Sequence, residues 1–260
     1  MPRSSTLLAL VAALARSASS FTLLPLGDSI TYGAGSHAGP ANGWVAACDE
    51  TCGGYRAPLW AVLTSAGFNV TFVGSLSGGP AWAPPSALRH EGHSGWRIAQ
   101  LTAILPQWSL LVPDVVLVLL GTNDIGQNHT LAEVSADMAT LLSATAAALP
   151  RARVFVGTVL NMVNSKSPQW TPAVAAFNAA LPAIVAKYGA TLVDLAGATG
   201  MCTPDASPLQ RLCSECNSAS AGCVPPGAFY DRVHPTAAGY SLIAGVWAAA
   251  LGHALQNATF

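Results

Sequence analysis

Short apolar runs alternate with segments of helical spacing along the chain, and this alternation limits its fold more than any other feature. Five runs have the length of β-strands, at 21–27, 69–75, 114–121, 153–160 and 190–197. Helical segments lie at 55–67, 95–108, 131–149, 172–189 and from about 236 to 255, and Pro182 is expected to interrupt the fourth. Strands that alternate with helices predict a five-stranded parallel sheet with helices on both faces.

Length and charge bound the possible functions. The chain has 260 residues, of which 9% are charged, and its formal net charge is -1. This length is enough for one large α/β domain, which we predict over residues 21–260. The near-neutral charge argues against a nucleic-acid-binding protein and against a polybasic membrane patch. A small neutral substrate is therefore favoured, and we predict a monomer.

The last helical segment raises the question of membrane insertion. It carries no formal charge from Pro235 onward, so a membrane span or a GPI signal is the rival interpretation. Small residues, among them Gly239, Gly245 and Gly252, interrupt the apolar segment. A helix packed on a sheet can be apolar on most of its faces. We therefore predict no stable membrane insertion.

The first twenty residues have the pattern of a secretory signal peptide. Arg3 supplies a positive charge, residues 6–15 form a short apolar stretch, and small residues at 15–20 form a cleavage region. The apolar stretch is too short to cross a bilayer comfortably. Secretion is favoured over the alternative of an apolar leader without structure. We predict a signal peptide over residues 1–20 and an extracellular location.

Six cysteines fit a secretory route, because an even number behind a signal peptide indicates disulfides. They form two groups: Cys48 and Cys52, then Cys202, Cys213, Cys216 and Cys223. We expect pairing inside each group, and the connectivity stays open. The C-x-x-C spacing in the second group leaves zinc as the alternative, although zinc usually takes a second close pair. Three N-x-[ST] sequons are glycosylation candidates, at Asn69, Asn128 and Asn257.

Polar residues collect in four segments that follow or lie near the predicted strands. The segments are GDS at 27–29, HEGHSGW at 90–96, GTND at 121–124 and DRVH at 231–234. In open α/β sheets, ligands bind beyond the carboxyl ends of the strands. The sequence therefore predicts that all four segments meet at one edge of the sheet.

Three of these residues together can perform acyl transfer. Ser29 is a weak nucleophile unless a base accepts its proton, and the imidazole of His234 suits that role near neutral pH. A carboxylate on the second ring nitrogen fixes the tautomer and stabilises the imidazolium. Asp231 lies three residues before His234, close enough for one turn of chain to bring them together.

An acyl-transfer site also needs donors for the developing oxyanion. The candidates are the backbone N–H groups of Ser29 and Gly92 and the side-chain amide of Asn123. A glycine allows close approach of the backbone, and an amide donates without adding a charge.

The other polar residues in these segments have simpler interpretations. We expect Asp28 to bind nearby backbone N–H groups and Asp124 to cap a loop. His90 and His93 are interpreted as local hydrogen-bonding partners. They suggest a metal only in combination with Asp28 or Asp124, and no ligand spacing supports one.

Aromatic residues in or near the four segments are candidates for substrate contact. Tyr32 follows Ser29 closely and either lines the pocket or packs. Trp44, Trp82 and Trp96 have the ring size to stack on a sugar face, although tryptophan is equally often part of a core. Of these aromatic residues, Tyr32 and Trp96 are the substrate-binding candidates.

The four segments, in this order, resemble the conserved blocks of the SGNH (GDSL-type) hydrolases. The stretches LPLGDSITYG and HEGHSGWRI are, further, similar to those of the carbohydrate esterase family 3 acetylxylan esterases. The resemblance covers nearly the whole mature chain and implies a flavodoxin-like three-layer α/β sandwich with no metal or organic cofactor. It implies the roles given above for Ser29, Gly92, Asn123, Asp231 and His234. The cysteine-rich segment before Asp231 departs from the family pattern and puts the choice of substrate in doubt.

These observations predict a secreted serine esterase that removes O-acetyl or other short acyl groups from carbohydrate through an acyl-enzyme. A lipid-directed esterase or lysophospholipase on the same scaffold is the first alternative. A sugar-binding protein without activity is the second. An ordinary α/β-hydrolase is disfavoured, because the sequence has no G-x-S-x-G elbow.

Overall fold

The computed structural model of the chain describes residues 20–35, 53–162, 167–198, 229 and 233–255. Four sets of predictions lie wholly or almost wholly outside these residues. They concern the signal peptide, the six cysteines, the sequon at Asn257 and the role of Asp231. Trp44 lies outside them as well.

The described residues form one mixed sheet of seven strands. The strands are β1 (Phe21–Gly27), β2 (Val70–Phe72), β3 (Leu76–Ser77), β4 (Arg89–Gly92), β5 (Val115–Leu119), β6 (Arg153–Gly157) and β7 (Thr191–Val193). Their order is β3-β4-β1-β5-β6-β7, with β2 also paired to β1. The five predicted strands are all present and pair in parallel. The predicted count of five is too low, because β4 and the antiparallel β3 add two short strands.

Nine α-helical segments lie within the described residues. They are α1 (Ser29–Tyr32), α2 (Arg56–Ser65), α3 (Ile98–Ala103), α4 (Leu105–Trp108), α5 (Thr122–Gly126), α6 (Leu131–Ala148), α7 (Trp170–Lys187), α8 (Leu195–Ala198) and α9 (Ala237–Leu255). Two single 3₁₀ turns occur at Pro85–Ala87 and Ser109–Leu111. The predicted helix at 95–108 is divided into α3 and α4. Pro106 in the first turn of α4 has no N–H to continue the helical bonding.

The two faces of the sheet bury two separate apolar cores, as a three-layer sandwich requires. Consecutive strand residues point to opposite faces, so Leu23 belongs to one core and Leu24 to the other. Helices α2 and α9 cover the first face, and α3, α6 and α7 cover the second. The predicted fold class, a flavodoxin-like α/β sandwich, is confirmed.

Pro25 lies in the middle of the central strand β1, where proline is rarely found. On one side, β1 pairs with β2 over Phe21–Leu23 and then with β4 over Leu26–Gly27. The carbonyl groups of Leu23 and Gly27 accept bonds from that side, so the nitrogen of Pro25 faces it too. The proline therefore lies at the changeover between the residues that pair with β2 and those that pair with β4.

Helix α7 continues through Pro182, contrary to the predicted interruption. Proline removes the bond to the carbonyl of residue 178, which costs about 3 kcal/mol in a helix interior. Tertiary contacts offset this loss. The Asn178 side chain accepts a bond from the Val159 N–H and donates one to its carbonyl, at 2.9 and 2.8 Å. Phe177 and Leu181 are fully buried against the sheet.

Helix α9 is the one described helix that is long and apolar enough to cross a membrane, by length and composition only. Half of that apolar segment is buried inside the protein. The buried residues include Ile243 and Trp247, which pack in the core shared with α2. This packing explains why the helix is apolar on more than one face.

The contrast between two tryptophans tests this packing. Trp247 is 0% exposed and Trp82 is 62% exposed. We expect Trp247→Ala to lower the free energy of unfolding by about 3–5 kcal/mol, because it removes buried area and leaves a cavity. Trp82→Ala serves as the matched control and should change it by less than about 0.5 kcal/mol. Urea denaturation followed by circular dichroism measures both, and equal losses would contradict the assigned position of α9.

Candidate active site

Ser29 and His234 are in direct contact, although 205 residues separate them in the chain. The distance from Ser29 Oγ to His234 Nε2 is 2.8 Å. Both residues are almost completely buried, at 3% and 2% exposure. A serine hydroxyl bonded to an imidazole nitrogen is the arrangement in which the imidazole can accept the hydroxyl proton.

The start of α9 and the end of α1 hold this pair together. His234 precedes Pro235, which forms an isolated antiparallel bridge with Phe229. The Thr236 hydroxyl then accepts from the Gly239 N–H in the first turn of α9. One residue later, the Tyr240 hydroxyl donates to the Ala34 carbonyl at 2.6 Å, just beyond α1. The histidine and the serine are therefore fixed by the same helix–helix contact.

Helix α1, only four residues long, presents Ser29 at its first position. Asp28 caps it, because Oδ1 accepts from the Ile30 N–H at 2.9 Å. At the other end, Gly33 takes the left-handed conformation at φ 105° and donates to the Ser29 carbonyl. Gly33 also packs so closely on Gly54 that a side chain at either position would clash. The predicted structural role of Asp28 is confirmed.

The buried guanidinium of Arg56 binds α1 through its backbone carbonyl groups. It donates to three carbonyl groups, those of Thr31 at 2.9 Å, Tyr32 at 3.2 Å and Leu88 at 3.0 Å. Two of these acceptors belong to α1, and the third precedes β4. Burial lowers the pKa of Arg56 to about 10, so the group stays positively charged at neutral pH. Arg56 therefore joins the serine segment to the HEGHSGW segment.

Asn123 lies where the sequence predicts it, beyond the carboxyl end of β5. Gly121 in the left-handed conformation begins the short helix α5, and Asn123 is its second residue. Its side-chain Nδ2 donates to the Trp96 carbonyl at 2.9 Å. An amide nitrogen carries two hydrogens, so one donor remains for another acceptor. The next residue, Asp124, accepts from the Ile98 N–H at the start of α3, which confirms its role as a cap.

Gly92 differs from its predicted role. Its N–H donates to Nδ1 of His90 at 3.0 Å. A Cβ atom at Gly92 would lie 2.4 Å from the Tyr32 nitrogen, so β4 packs directly on the backbone of α1. The glycine is therefore required for close packing, and its amide is already engaged. This bond argues against Gly92 as an oxyanion donor.

Gly95, which the sequence interpretation passed over, is the better placed glycine. It has a φ of 80° and a Cβ there would meet nothing within 4 Å. Among the described residues, no acceptor is recorded for its N–H. The carbonyl of the next residue, Trp96, accepts from the Asn123 side chain. The carbonyl of Gly95 accepts from the side chain of Gln127, four residues after Asn123. The two glycines of HEGHSG are three residues apart, and spacing alone does not separate them.

His90 acts as a local partner, as predicted. Burial, reinforced by the nearby charge of Arg56, lowers the pKa of His90 to about 2, so the ring is neutral. Since Nδ1 accepts from Gly92, the proton lies on Nε2. The ring packs edge-on against Tyr32, with centroids 5.8 Å apart.

Known proteins resemble this chain in sequence and in structure. The model of the GDSL-like lipase/acylhydrolase family matches residues 26–242, which include Ser29, Asn123 and His234. The chain belongs to this family. The predicted resemblance is confirmed, and the chain is a carboxylic ester hydrolase of the GDSL type. No curated protein sequence matches it.

Solved structures of similar shape include several esterases. A family 3 carbohydrate esterase from Clostridium thermocellum is 26% identical with a TM-score of 0.65, covering 92% of this chain and 100% of its own. A carbohydrate esterase of family 3 from Talaromyces cellulolyticus is 24% identical with a TM-score of 0.64, with the same coverage. An acetyl-xylooligosaccharide esterase from Geobacillus is 18% identical with a TM-score of 0.60, covering 94% of this chain and 97% of its own. The two structures below 25% identity show the shared fold alone.

The second histidine of the HEGHSGW segment, His93, is held by a buried carboxylate. His93 Nε2 lies 2.8 Å from Oε2 of Glu91, and Oε1 of Glu91 accepts from the Ser75 N–H. Burial would raise the pKa of the Glu91 carboxyl, but these bonds outweigh it and hold the pKa below its usual value. The His93 ring stacks on Trp96 at 4.2 Å. The histidine is thus a local partner, as predicted.

The remaining predicted site residues are accessible to different degrees. Tyr32 and Trp96 are partly buried, and the described sequon residues Asn69 and Asn128 are exposed. The Asn128 side-chain oxygen accepts from Gln169 at 3.0 Å. Within the described ranges, no group of three or more His, Cys, Asp or Glu side chains is arranged to hold a metal ion.

The carboxyl group of Asp28, next to the pair of Ser29 and His234, has a strongly perturbed pKa. Burial raises the pKa of Asp28 from 3.8 to about 6, against the opposing effects of the Ile30 N–H, the charge of His234 and the Thr122 hydroxyl. Neither Asp28 Oδ2 nor Thr122 Oγ1 has a partner within hydrogen-bonding geometry in the described part of the chain. The carboxyl therefore takes up a proton more readily in the folded enzyme than in the unfolded chain.

This shift predicts a specific dependence of stability on pH. Between pH 3.8 and about 6 the folded state binds more protons than the unfolded state, so stability falls as the pH rises. Asp28→Asn keeps the capping oxygen and cannot ionise. We expect the variant to gain up to about 3 kcal/mol relative to the wild type between pH 4 and pH 7. Urea unfolding at both pH values measures it, and a constant difference would contradict the raised pKa.

Proposed function

We propose that the chain is a secreted serine esterase that removes O-acetyl groups from carbohydrate by way of an acyl-enzyme. The observation that carries this proposal is the 2.8 Å contact between Ser29 Oγ and His234 Nε2 at the carboxyl edge of the sheet. It gives the family's general activity, ester hydrolysis, a named nucleophile and a named base.

The proposed reaction has two steps. Ser29 Oγ attacks the ester carbonyl while His234 Nε2 takes the hydroxyl proton, and the tetrahedral intermediate collapses when His234 returns that proton to the departing sugar hydroxyl. Water then attacks the acyl-Ser29 ester with His234 again as base. Acetate leaves, and the free serine is restored.

Asp231 is proposed as the carboxylate that orients His234, through the ring nitrogen that does not face Ser29. The sequence supports this role, because Asp231 lies three residues before the histidine. A carboxylate in that place fixes the tautomer in which Nε2 accepts, and it stabilises the imidazolium that forms.

The proposed oxyanion donors are the Ser29 N–H, the Asn123 side chain and the Gly95 N–H. Ser29 begins α1, and the first N–H groups of a helix have no acceptor within it. Asn123 has one amide hydrogen engaged with Trp96 and one available. Gly95 replaces Gly92 for the reasons given above.

Acylated carbohydrate is favoured as the substrate by two observations. The solved structures of similar shape include carbohydrate esterases of family 3. Tyr32 and Trp96, partly buried near Ser29 and Asn123, offer aromatic surface to a sugar ring. The signal-peptide pattern, the two cysteine groups and the three sequons support secretion, disulfides and glycosylation as parts of the same proposal.

Removal of the nucleophile tests the mechanism. Ser29→Ala should lower kcat on p-nitrophenyl acetate by several orders of magnitude, because no other group takes the acyl chain. Circular dichroism should show a native fold. Wild-type activity in this variant would refute Ser29 as the nucleophile.

The length of the acyl chain tests the substrate class. The wild type should lose activity on p-nitrophenyl esters from acetate to octanoate, whereas retained activity on octanoate would indicate a lipid-directed esterase.

Removal of the amide donor tests the oxyanion site. Asn123→Ala should lower kcat by about 10²–10³ with a small change in KM, because the donor acts mainly in the transition state. Asn69→Ala makes the same substitution at an exposed site just before β2, away from the carboxyl edge of the sheet, and should keep the wild-type kcat. Steady-state kinetics on p-nitrophenyl acetate compares the two. Equal rates in both variants would remove Asn123 from the site.

A further inference from the structure

We propose that Glu91 is a positioning residue, which acts through His93 and Trp96 to orient the side-chain amide of Asn123. The inference rests on the proposed function, because it assigns Asn123 to the oxyanion site. It extends that function to a buried carboxylate that, among the described residues, is hydrogen-bonded to Ser75 and His93 and to neither the nucleophile nor its base.

Glu91 is fixed at both of its oxygens. It is 1% exposed. Oε1 accepts from the backbone N–H of Ser75, and Oε2 accepts from His93 at 2.8 Å. A carboxylate held at two points has a single orientation, so it determines the orientation of the imidazole that it binds.

The imidazole transmits this orientation to the next aromatic ring. The rings of His93 and Trp96 stack with centroids 4.2 Å apart and planes 22° apart. The backbone N–H of Trp96 also donates to the His93 carbonyl at 3.2 Å, which closes a turn between the two residues. Ring contact and backbone bond together hold the Trp96 peptide in place.

The Trp96 carbonyl is the acceptor for Asn123. Nδ2 of Asn123 donates to it at 2.9 Å. The terminal torsion of an asparagine side chain is soft, so the amide plane needs an external partner to be fixed. When one amide hydrogen is bonded to Trp96, the direction of the second is set as well. An oxyanion donor gains its effect from such advance orientation.

The burial of a charge at position 91 would be costly if its role were packing alone. Glu91 pairs with Leu26 of β1, which points into the apolar core on that face. Replacing buried charges by apolar residues of similar volume is often neutral or stabilising. A carboxylate here is explained by the two hydrogen bonds that it accepts, one from the Ser75 N–H and one from His93 in the segment that carries Trp96.

A double-mutant cycle tests the inference. Glu91→Leu should lower kcat on p-nitrophenyl acetate by roughly 10- to 100-fold, a part of the loss expected for a missing oxyanion donor, with KM nearly unchanged. In the Asn123→Ala background the same substitution should cause no further loss, because Glu91 acts through that amide. Glu91→Gln keeps a hydrogen-bonding side chain of the same shape and should restore most of the rate.

Glu133→Leu is the matched control. Glu133 is an exposed glutamate that caps α6, where its Oε2 accepts from the Thr130 N–H, and its replacement should leave kcat unchanged. Circular dichroism must show native folding for each variant. If Glu91→Leu does not fold, His93→Phe takes its place, since phenylalanine can stack on Trp96 but cannot bind Glu91.

Two kinetic outcomes would overturn the inference. One is a wild-type kcat in the folded Glu91→Leu or His93→Phe variant. The other is a loss that multiplies fully with that of Asn123→Ala, which would indicate general structural damage.

A spectroscopic readout separates this inference from the proposed function. The side-chain amide signals of Asn123 in a ¹H–¹⁵N spectrum are identified by their loss in Asn123→Ala. They should shift in Glu91→Leu and stay in place in Glu133→Leu. Unchanged signals would refute the positioning role even if the wild type hydrolysed no ester, a result that would by itself reject the proposed function.

Discussion

The parallel pairing of β1 with its two neighbours is the constraint on which the active site depends. Gly27, the last residue of β1, pairs with Gly92 on one side and with Leu119 on the other. Parallel strands end in the same direction, so the residues that follow these three positions emerge at one edge of the sheet. Ser29 and Asn123 lie within four residues of that row, and His234 reaches it from the start of α9.

Much of this arrangement could be predicted from the sequence, because the signals were local. Strand and helix periods gave the sheet and its layers, and the polar residues near the strand ends pointed to the site. The cap at Asp28 follows from a carboxylate before a helix. The strands β3 and β4 escaped notice because they are short and β4 contains three polar or charged residues.

Other features depend on contacts that spacing does not reveal. The continuity of α7 through Pro182 rests on the bonds between Asn178 and Val159, which come from another element. The choice between Gly92 and Gly95 depends on His90, whose ring takes the amide of the first. Both glycines look alike in the sequence, and only the placement of that ring distinguishes them.

Asp28, Arg56 and Glu91 are among the buried ionisable groups near the carboxyl edge of the sheet. Taking a charge out of water costs several kcal/mol per ion, even after relaxation. Asp28 and Arg56 bind backbone N–H or carbonyl groups of α1, and Glu91 joins the Ser75 N–H to His93. They hold short, irregular pieces of chain in one geometry before a substrate arrives, which is the condition for electrostatic stabilisation of a transition state.

Pro25 reverses the usual rule for proline in sheets. Any other residue at that position would bring an amide hydrogen into the centre of the molecule, where β2 has ended and β4 has not begun. A buried donor costs about 1–3 kcal/mol when it finds no acceptor. Proline brings no amide hydrogen, so it avoids this cost. It is therefore well suited to the position where β1 changes its partner strand from β2 to β4.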